Sequence, residues 1–420
     1  MKHQLSAIVL ATTLAMAMSG AASAATSADI TQTGAANQAY AAQTNNSQGD
    51  TTATIVQSGA GNFAGNPDGG TVSFVEGGIL QNGNYGNTTA EVGQRGNGNL
   101  AMVKQEGVTG KYGGISQVGD NNMSSLIEQG GSGGGASIVQ SGRSNVAAVT
   151  LSGNGGIVDV LQSSQANKAE VNHISSGVTI LRQGGLANTA MLDNQHVVGN
   201  LTVQQMGSGN SAQSNSLGSI VQDGNGNAAS ISGTGGGLTS PSLYNTFAMI
   251  NQVGVVNTAS ISQNWSAGNG LASIDQSGRG NNALVYASGR QGGLIQIKQD
   301  GLENDARVTQ SSFQGGVAYI EQSGNINTST ISQNAFGGGI SRIKQNGNLN
   351  VAAISNASSS AADEASILQD GSRNAALITQ IGPIGITGPM NKASIQQQGN
   401  DFKAAIYQAG SGNRAGILQR

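Results

Sequence analysis

Apolar and polar positions alternate along most of this chain in short bursts of five to seven residues. The bursts share one order, I-x-Q-x-G-x-x-N-x-A-x-[IV]-x-Q. Ile-x-Gln before the glycine and Ala-x-Ile-x-Gln after the asparagine both alternate with period two, which predicts a strand, a tight turn and a second strand. Glycine two residues after the first glutamine lets the chain reverse, because it adopts positive φ without steric cost. The clearest run has Gln252, Gln276, Gln299, Gln322, Gln345 and Gln369 as first glutamines, 23 or 24 residues apart. Gly254, Gly278, Gly301, Gly324, Gly347 and Gly371 follow two residues later, and Asn257, Asn281, Asn304, Asn327, Asn350 and Asn374 five residues later.

The same core recurs at Gln32, Gln57, Gln94, Gln117, Gln140, Gln183, Gln205, Gln222 and Gln408, with degenerate copies near Gln81, Gln162 and Gln397. Self-similarity at this period is the signature of a solenoid. Gly292-Gly293, Gly315-Gly316 and Gly338-Gly339 supply a second turn per period, so each period reads as one two-stranded coil. The expected fold is all-β: an amyloid-like, cross-β solenoid with two strands per coil and about 17 repeats of roughly 23 residues.

Charge placement tests the assignment. If Ile, Gln, Asn and Ala point inward, the residues beside each glutamine point out. Lys104, Glu128, Arg182, Asp275, Lys298, Glu321 and Lys344 precede such a glutamine, and Asp223, Asp300 and Asp370 follow one. All are therefore expected on the outer face. Asp300, Asp305 and Arg307 form the densest charged group, which reads as an ordinary outer turn.

Composition narrows the class. Charged residues are 9% of the chain and aromatics 3%, against 66 glycines and a net charge of -3. That is too little bulky apolar material for an ordinary α/β core and too little charge for disorder by repulsion. Cysteine is absent, so stability rests on backbone pairing and stacking. Met1–His3, the apolar stretch Leu5–Met18 and Ala22-Ser23-Ala24 together form a secretory signal peptide over 1–24, too short for a membrane helix. Residues 25–420 form the repeat region, less regular over 63–92 and with insertions near 232–245 and 382–389.

A single hairpin of this composition is marginal in water. Stacking at about 4.8 Å pairs each strand with the coils above and below and brings identical side chains into register. The expected inward amide ladder comprises Gln252, Asn257, Gln263, Gln276, Asn281, Gln299, Asn304, Gln310, Gln322, Asn327, Gln333, Gln345 and Asn350. Terminal stacking falls to Gln32, Asn37, Gln408, Asn413 and Gln419, with no polar cap beyond them.

The S/A-x-I-x-Q-x-G-x-x-N-x-A-x-I-x-Q unit resembles the curlin repeat of curli fibre subunits, over nearly all of residues 25–420. The resemblance implies an extracellular functional amyloid on the bacterial cell surface, serving biofilm matrix and adhesion. Its partners would be further copies of itself, a second curlin subunit, an outer-membrane curli secretion pore and accessory chaperones. The chain departs from the usual pattern. It is several times longer than a five-repeat curlin, and Ala25–Ala28 leads almost directly into a repeat without a Gly/Asn-rich secretion segment. The spacing of Gln397, Gln408 and Gln419, with Arg420, is similar to the minor, nucleating curlin. A major subunit is favoured, with a nucleator or a soluble secreted adhesin as alternatives.

Other chemistries fit less well. A β-helical lyase needs clustered catalytic side chains on adjacent coils, and here charge falls about once per coil. A calcium-binding β-roll needs an aspartate in every turn, and an ice-binding face needs a flat row of threonines. His3, His173 and His196 lack metal-ligand spacing. Trp265 reads as a link residue, and no phosphate loop or basic patch for nucleic acid occurs. No catalysis, cofactor, metal or small-molecule substrate is expected.

Overall fold

A computed structural model describes residues 25–44, 49–64, 78–174, 176–194, 199–233, 247–265, 270–289, 293–312, 316–334, 338–357, 363–382 and 389–420. The expected signal peptide, most of both insertions, His196 and one glycine of two of the three link pairs lie outside these residues. The chain divides into two compact units, one up to Ala187 and one from Asn188 to Arg420.

Each unit is a β-solenoid of two parallel sheets. Among the described residues of the first unit, seven strands pair in sequence order to make the first sheet: Thr26–Ala35, Thr51–Ala60, Thr88–Asn97, Tyr112–Asp120, Gly135–Arg143, Ile157–Gln162 and Val178–Gln183. The strands between them, among them Leu100–Glu106, Met123–Gln129, Val146–Ser152 and Lys168–His173, pair into the second sheet. Among the described residues the second unit repeats the plan with ten strands in each sheet. Its first sheet runs from Asn200–Ser208 to Arg414–Gln419, and its second from Thr189–Asn194 to Lys403–Ala409.

The register explains the sequence pattern. Residues pair with their equivalents one coil on: Ala272 with Ile295, Ile274 with Ile297 and Gln276 with Gln299. Alternate side chains therefore enter the space between the sheets. Ile274, Val285, Ile297, Val308, Ile320 and Ile331 are buried there with alanines such as Ala283 and Ala306. Each buried isoleucine or valine contributes about 1.5–3 kcal/mol. The alternation is visible in strand Leu294–Leu302, where Ile295, Ile297 and Gln299 are buried and Gln296, Lys298 and Asp300 exposed.

Glycine marks the end of most first-sheet strands for a steric reason, Ser164 taking the place in the coil of Gln162. Gly301 has φ 123°, and a Cβ built on it would overlap the carbonyl oxygen of Gly324 in the next coil. The same holds for Gly278 against Gly301 and for Gly324 against Gly347. Two residues later the chain turns left-handed again, and there glycine is not required. Val256, Glu303, Ile326, Leu349 and Arg373 hold φ between 53° and 58°. Trp265, expected in a link, instead closes strand Thr258–Trp265 in register with Gly289.

Candidate functional site: the stacked amide columns

The first glutamine of each coil builds one continuous column per unit. In the first unit Gln32 donates through Nε2 to Oε1 of Gln57 (2.6 Å), and the series continues through Gln94, Gln117, Gln140 and Gln162 to Gln183 at 2.7–2.8 Å. In the second unit it runs from Gln205 through Gln222, Gln252, Gln276, Gln299, Gln322, Gln345, Gln369 and Gln397 to Gln419 at 2.7–2.9 Å. From Gln57 onward each Nε2 also reaches a backbone carbonyl across the interior, as Gln276 does to Thr258 O at 3.0 Å. Amides inside the column thus have both a donor and an acceptor role in a dry setting, where a lone polar group would cost about 1–3 kcal/mol.

Asparagine does a different task. The Asn257 Oδ1 accepts the backbone N–H of Asn281 at 3.0 Å, and its Nδ2 donates to Gly278 O at 3.1 Å. Asn281, Asn304, Asn327 and Asn350 repeat this. The short amide links one turn to the next and satisfies turn backbone groups that would otherwise be stranded. In the first unit the column starts at Asn37, whose Oδ1 accepts from Asn62 N at 3.0 Å. In the second it reaches Asn374, whose Oδ1 meets the backbone N–H of Phe402 rather than another asparagine.

The second glutamine of the repeat forms a broken column in the second sheet. Gln310 bonds Gln333 at 2.9 Å and Gln380 bonds Gln408 at 2.9 Å. Between Gln263 and Gln310 stands Ala287, so no ladder bond joins them. Gln263 Nε2 and Gln310 Oε1 are buried without partners, as are Asn356 Oδ1 and Gln380 Oε1. All four atoms belong to this second-sheet column.

Gln81, expected as a degenerate first glutamine, lies instead on the second-sheet strand Gly78–Asn82 and donates to Gln105 Oε1 at 2.7 Å. Two further expectations are corrected. Gln408 was expected as a first glutamine, with Asn413 as its turn asparagine. The structure gives that place to Gln397, thought degenerate. Gln408 lies on the second-sheet strand Lys403–Ala409, and Asn413 stacks on Asn391 in the opposite turn (3.0 Å). Gln419 completes the first-sheet column. The other correction is Glu128. It was expected outside, yet it is fully buried and paired with Gln105, whose Nε2 donates to its Oε2 at 2.7 Å. Counting six residues from Asn122 lands on Glu128, as counting six from Asn304 lands on Gln310. The neighbouring Gln129 points outward instead.

Lys111 was not anticipated. It is buried in a link turn, donating through Nζ to Gly130 O and Gly153 O, both at 2.9 Å. Burial lowers its pKa, opposed by the charge of Glu128. Burial likewise raises the Glu128 carboxyl from 4.5 to about 7, against opposing contributions from Gln105, Lys111 and the Ala136 backbone. His173 is buried too, with Nδ1 2.9 Å from the Thr179 hydroxyl.

The remaining charges named above lie on the outer surface. Glu321–Lys344 (3.3 Å), Glu364–Lys392 (3.0 Å) and Arg373–Asp401 (2.9 Å) pair exposed or half-buried side chains on adjacent coils, each worth about 0–1 kcal/mol. Among the described residues no three His, Cys, Asp or Glu side chains gather as a metal site. Scans against protein-family models and curated proteins return no match to this chain.

Proposed function

We propose that the protein is a structural, non-catalytic subunit of an extracellular fibre of the curli type, growing by end-to-end stacking of its solenoids. One observation carries the reading: the first-sheet glutamine column has a direction. Every Nε2 points to the following coil's Oε1, so Gln32 uses its donor inward and Gln419 is reached at its acceptor. The outermost described strands, Thr26–Ala35 and Arg414–Gln419, each have one strand partner among the described residues. Ala28-x-Ile30-x-Gln32 and Ala415-x-Ile417-x-Gln419 share the inward order, and Ala28 and Ala415 are exposed. Laid together in parallel, these edges match residue for residue, donor to acceptor. A head-to-tail contact of this kind does not close and gives a filament.

On this reading the protein is secreted and forms fibres on the bacterial cell surface, in biofilm matrix and adhesion. It would leave through an outer-membrane secretion pore with accessory chaperones. The bulk-subunit role is preferred to nucleation because the many near-equal coils suit a building block.

The test is thioflavin T fluorescence with fibre diffraction on residues 25–420 diluted from denaturant. Growth after a lag, with reflections near 4.8 and 10 Å, is expected for a bulk subunit. Growth without a lag assigns nucleation. A stable thioflavin-negative monomer overturns the fibre reading and leaves a soluble adhesin. Within a growing sample, Gln32→Ala and Gln419→Ala should slow elongation more than Lys298→Ala.

A further inference from the structure

Glu128 occupies a place built for an amide. In the second-sheet column of the first unit, each glutamine below it donates to a carbonyl at the start of its own coil's first-sheet strand. Gln43 reaches Ser27 O (3.1 Å), Gln81 reaches Thr52 O (3.3 Å) and Gln105 reaches Thr89 O (3.1 Å). Ser27, Thr52, Thr89 and Tyr112 are successive register partners, so the carbonyl facing position 128 is that of Tyr112. A carboxylate brings no donor to that carbonyl, whereas a neutral carboxyl has an amide's shape and one O–H. Oε2 already accepts from Gln105 and the Ala136 backbone also favours the charged form, while Oε1 is buried and without a hydrogen-bond partner. The next column residue, Leu151, has no polar group to offer.

Charge on neighbouring elements does not replace the missing donor. Lys111 is committed to two carbonyls and makes no direct ion pair with Glu128. On Leu100–Glu106, Lys104 and Glu106 pair with each other on the outer face. Across the interior, Asp120 and Arg143 sit at turn ends of their strands, and Tyr112 turns its hydroxyl outward to Glu91. Val146–Ser152 has no charged residue, and His173 lies one coil beyond Leu151.

We propose that Glu128 sits in the column as a neutral carboxylic acid, making the coils around Met123–Gln129 a joint that closes in mild acid and loosens above neutrality. The sign follows from linkage. The folded carboxyl titrates at about 7 against 4.5 ordinarily, so the folded form keeps a proton the unfolded form has lost. The stabilisation is full below about pH 4.5, declines up to about 7 and is absent above, a change of roughly 300-fold in the opening equilibrium. The inference rests on the fold and not on fibre growth.

Hydrogen exchange of the peptide spanning Met123–Gln129 in the 25–420 chain tests it, at pH 5 and pH 8 and corrected for intrinsic rates. Protection should fall between these two pH values in the native chain, by up to roughly 70-fold. It should stay level in Glu128→Gln, which should be the better protected of the two at pH 8. The outer-face control Glu106→Gln should behave as the native chain. A native chain with level protection, or a Glu128→Gln variant with the native pH dependence, overturns the proposal. The readout is local, so it holds for monomer and fibre alike.

Discussion

Replacing Ala287 by glutamine should mend the second-sheet column of the second unit. Two buried atoms flank Ala287 without partners, the donor Gln263 Nε2 on one side and the acceptor Gln310 Oε1 on the other. A glutamine at 287 presents Oε1 to the first and Nε2 to the second, in the polarity that Gln310 and Gln333 already follow. Each orphaned atom costs about 1–3 kcal/mol, and fixing a new glutamine side chain costs about 1.5–2 kcal/mol. The difference is a gain of about 2 kcal/mol, or about 4–8 °C in the melting midpoint of a unit this size. Thermal unfolding followed by circular dichroism on the soluble chain reads it directly. Ala283→Gln is the control: Ala283 is also buried, but it belongs to the alanine column, where no amide is missing. That variant should lose stability by overpacking. A midpoint for Ala287→Gln at or below the native value would refute the reasoning, because it would mean the two atoms are not waiting for a partner.

Gly301→Ala should be strongly destabilising, by about 2–3 kcal/mol, since its Cβ would overlap the Gly324 carbonyl at a φ of 123°. A denaturation midpoint equal to native would count against the glycine column as a steric requirement. Val256→Asn should raise stability by about 1 kcal/mol, because a β-branched residue holds φ 58° there while its side chain is largely exposed; a shifted urea midpoint with unchanged slope would show it.

The period, the strand–turn–strand unit, the inward glutamines and the turn asparagines were all legible in the sequence, because a period-two strand and a glycine reversal impose spacing that repetition makes visible. What escaped was phase. At Met123–Gln129, Leu126-x-Glu128 and Ile127-x-Gln129 both satisfy the alternation, and the glutamine misled. The turn decides, since Asn122 fixes the register from outside the strand. At the other end Gln408-x-Gly410-x-x-Asn413 mimics the motif, but Phe402 in the asparagine place hides the true turn of the preceding coil. Lys111 left no signal, because its burial depends on carbonyls of two later turns. The second left-handed residue was equally hidden: its column mixes Val, Glu, Ile, Leu and Arg, for the conformation is imposed by stacking and not by residue type.

The ladder bonds also separate contour length from height. Gln57 meets Gln94 after 37 residues and Gln205 meets Gln222 after only 17, yet both bonds measure 2.7–2.8 Å. One rung is thus climbed whether the intervening thread is long or short. A lineage can lengthen or trim the thread there without disturbing the rungs on either side, and an engineer can graft a foreign loop at the same places. Such grafts would stand at heights set by counting rungs, so the molecule doubles as a ruler on which cargo is spaced by choice of repeat.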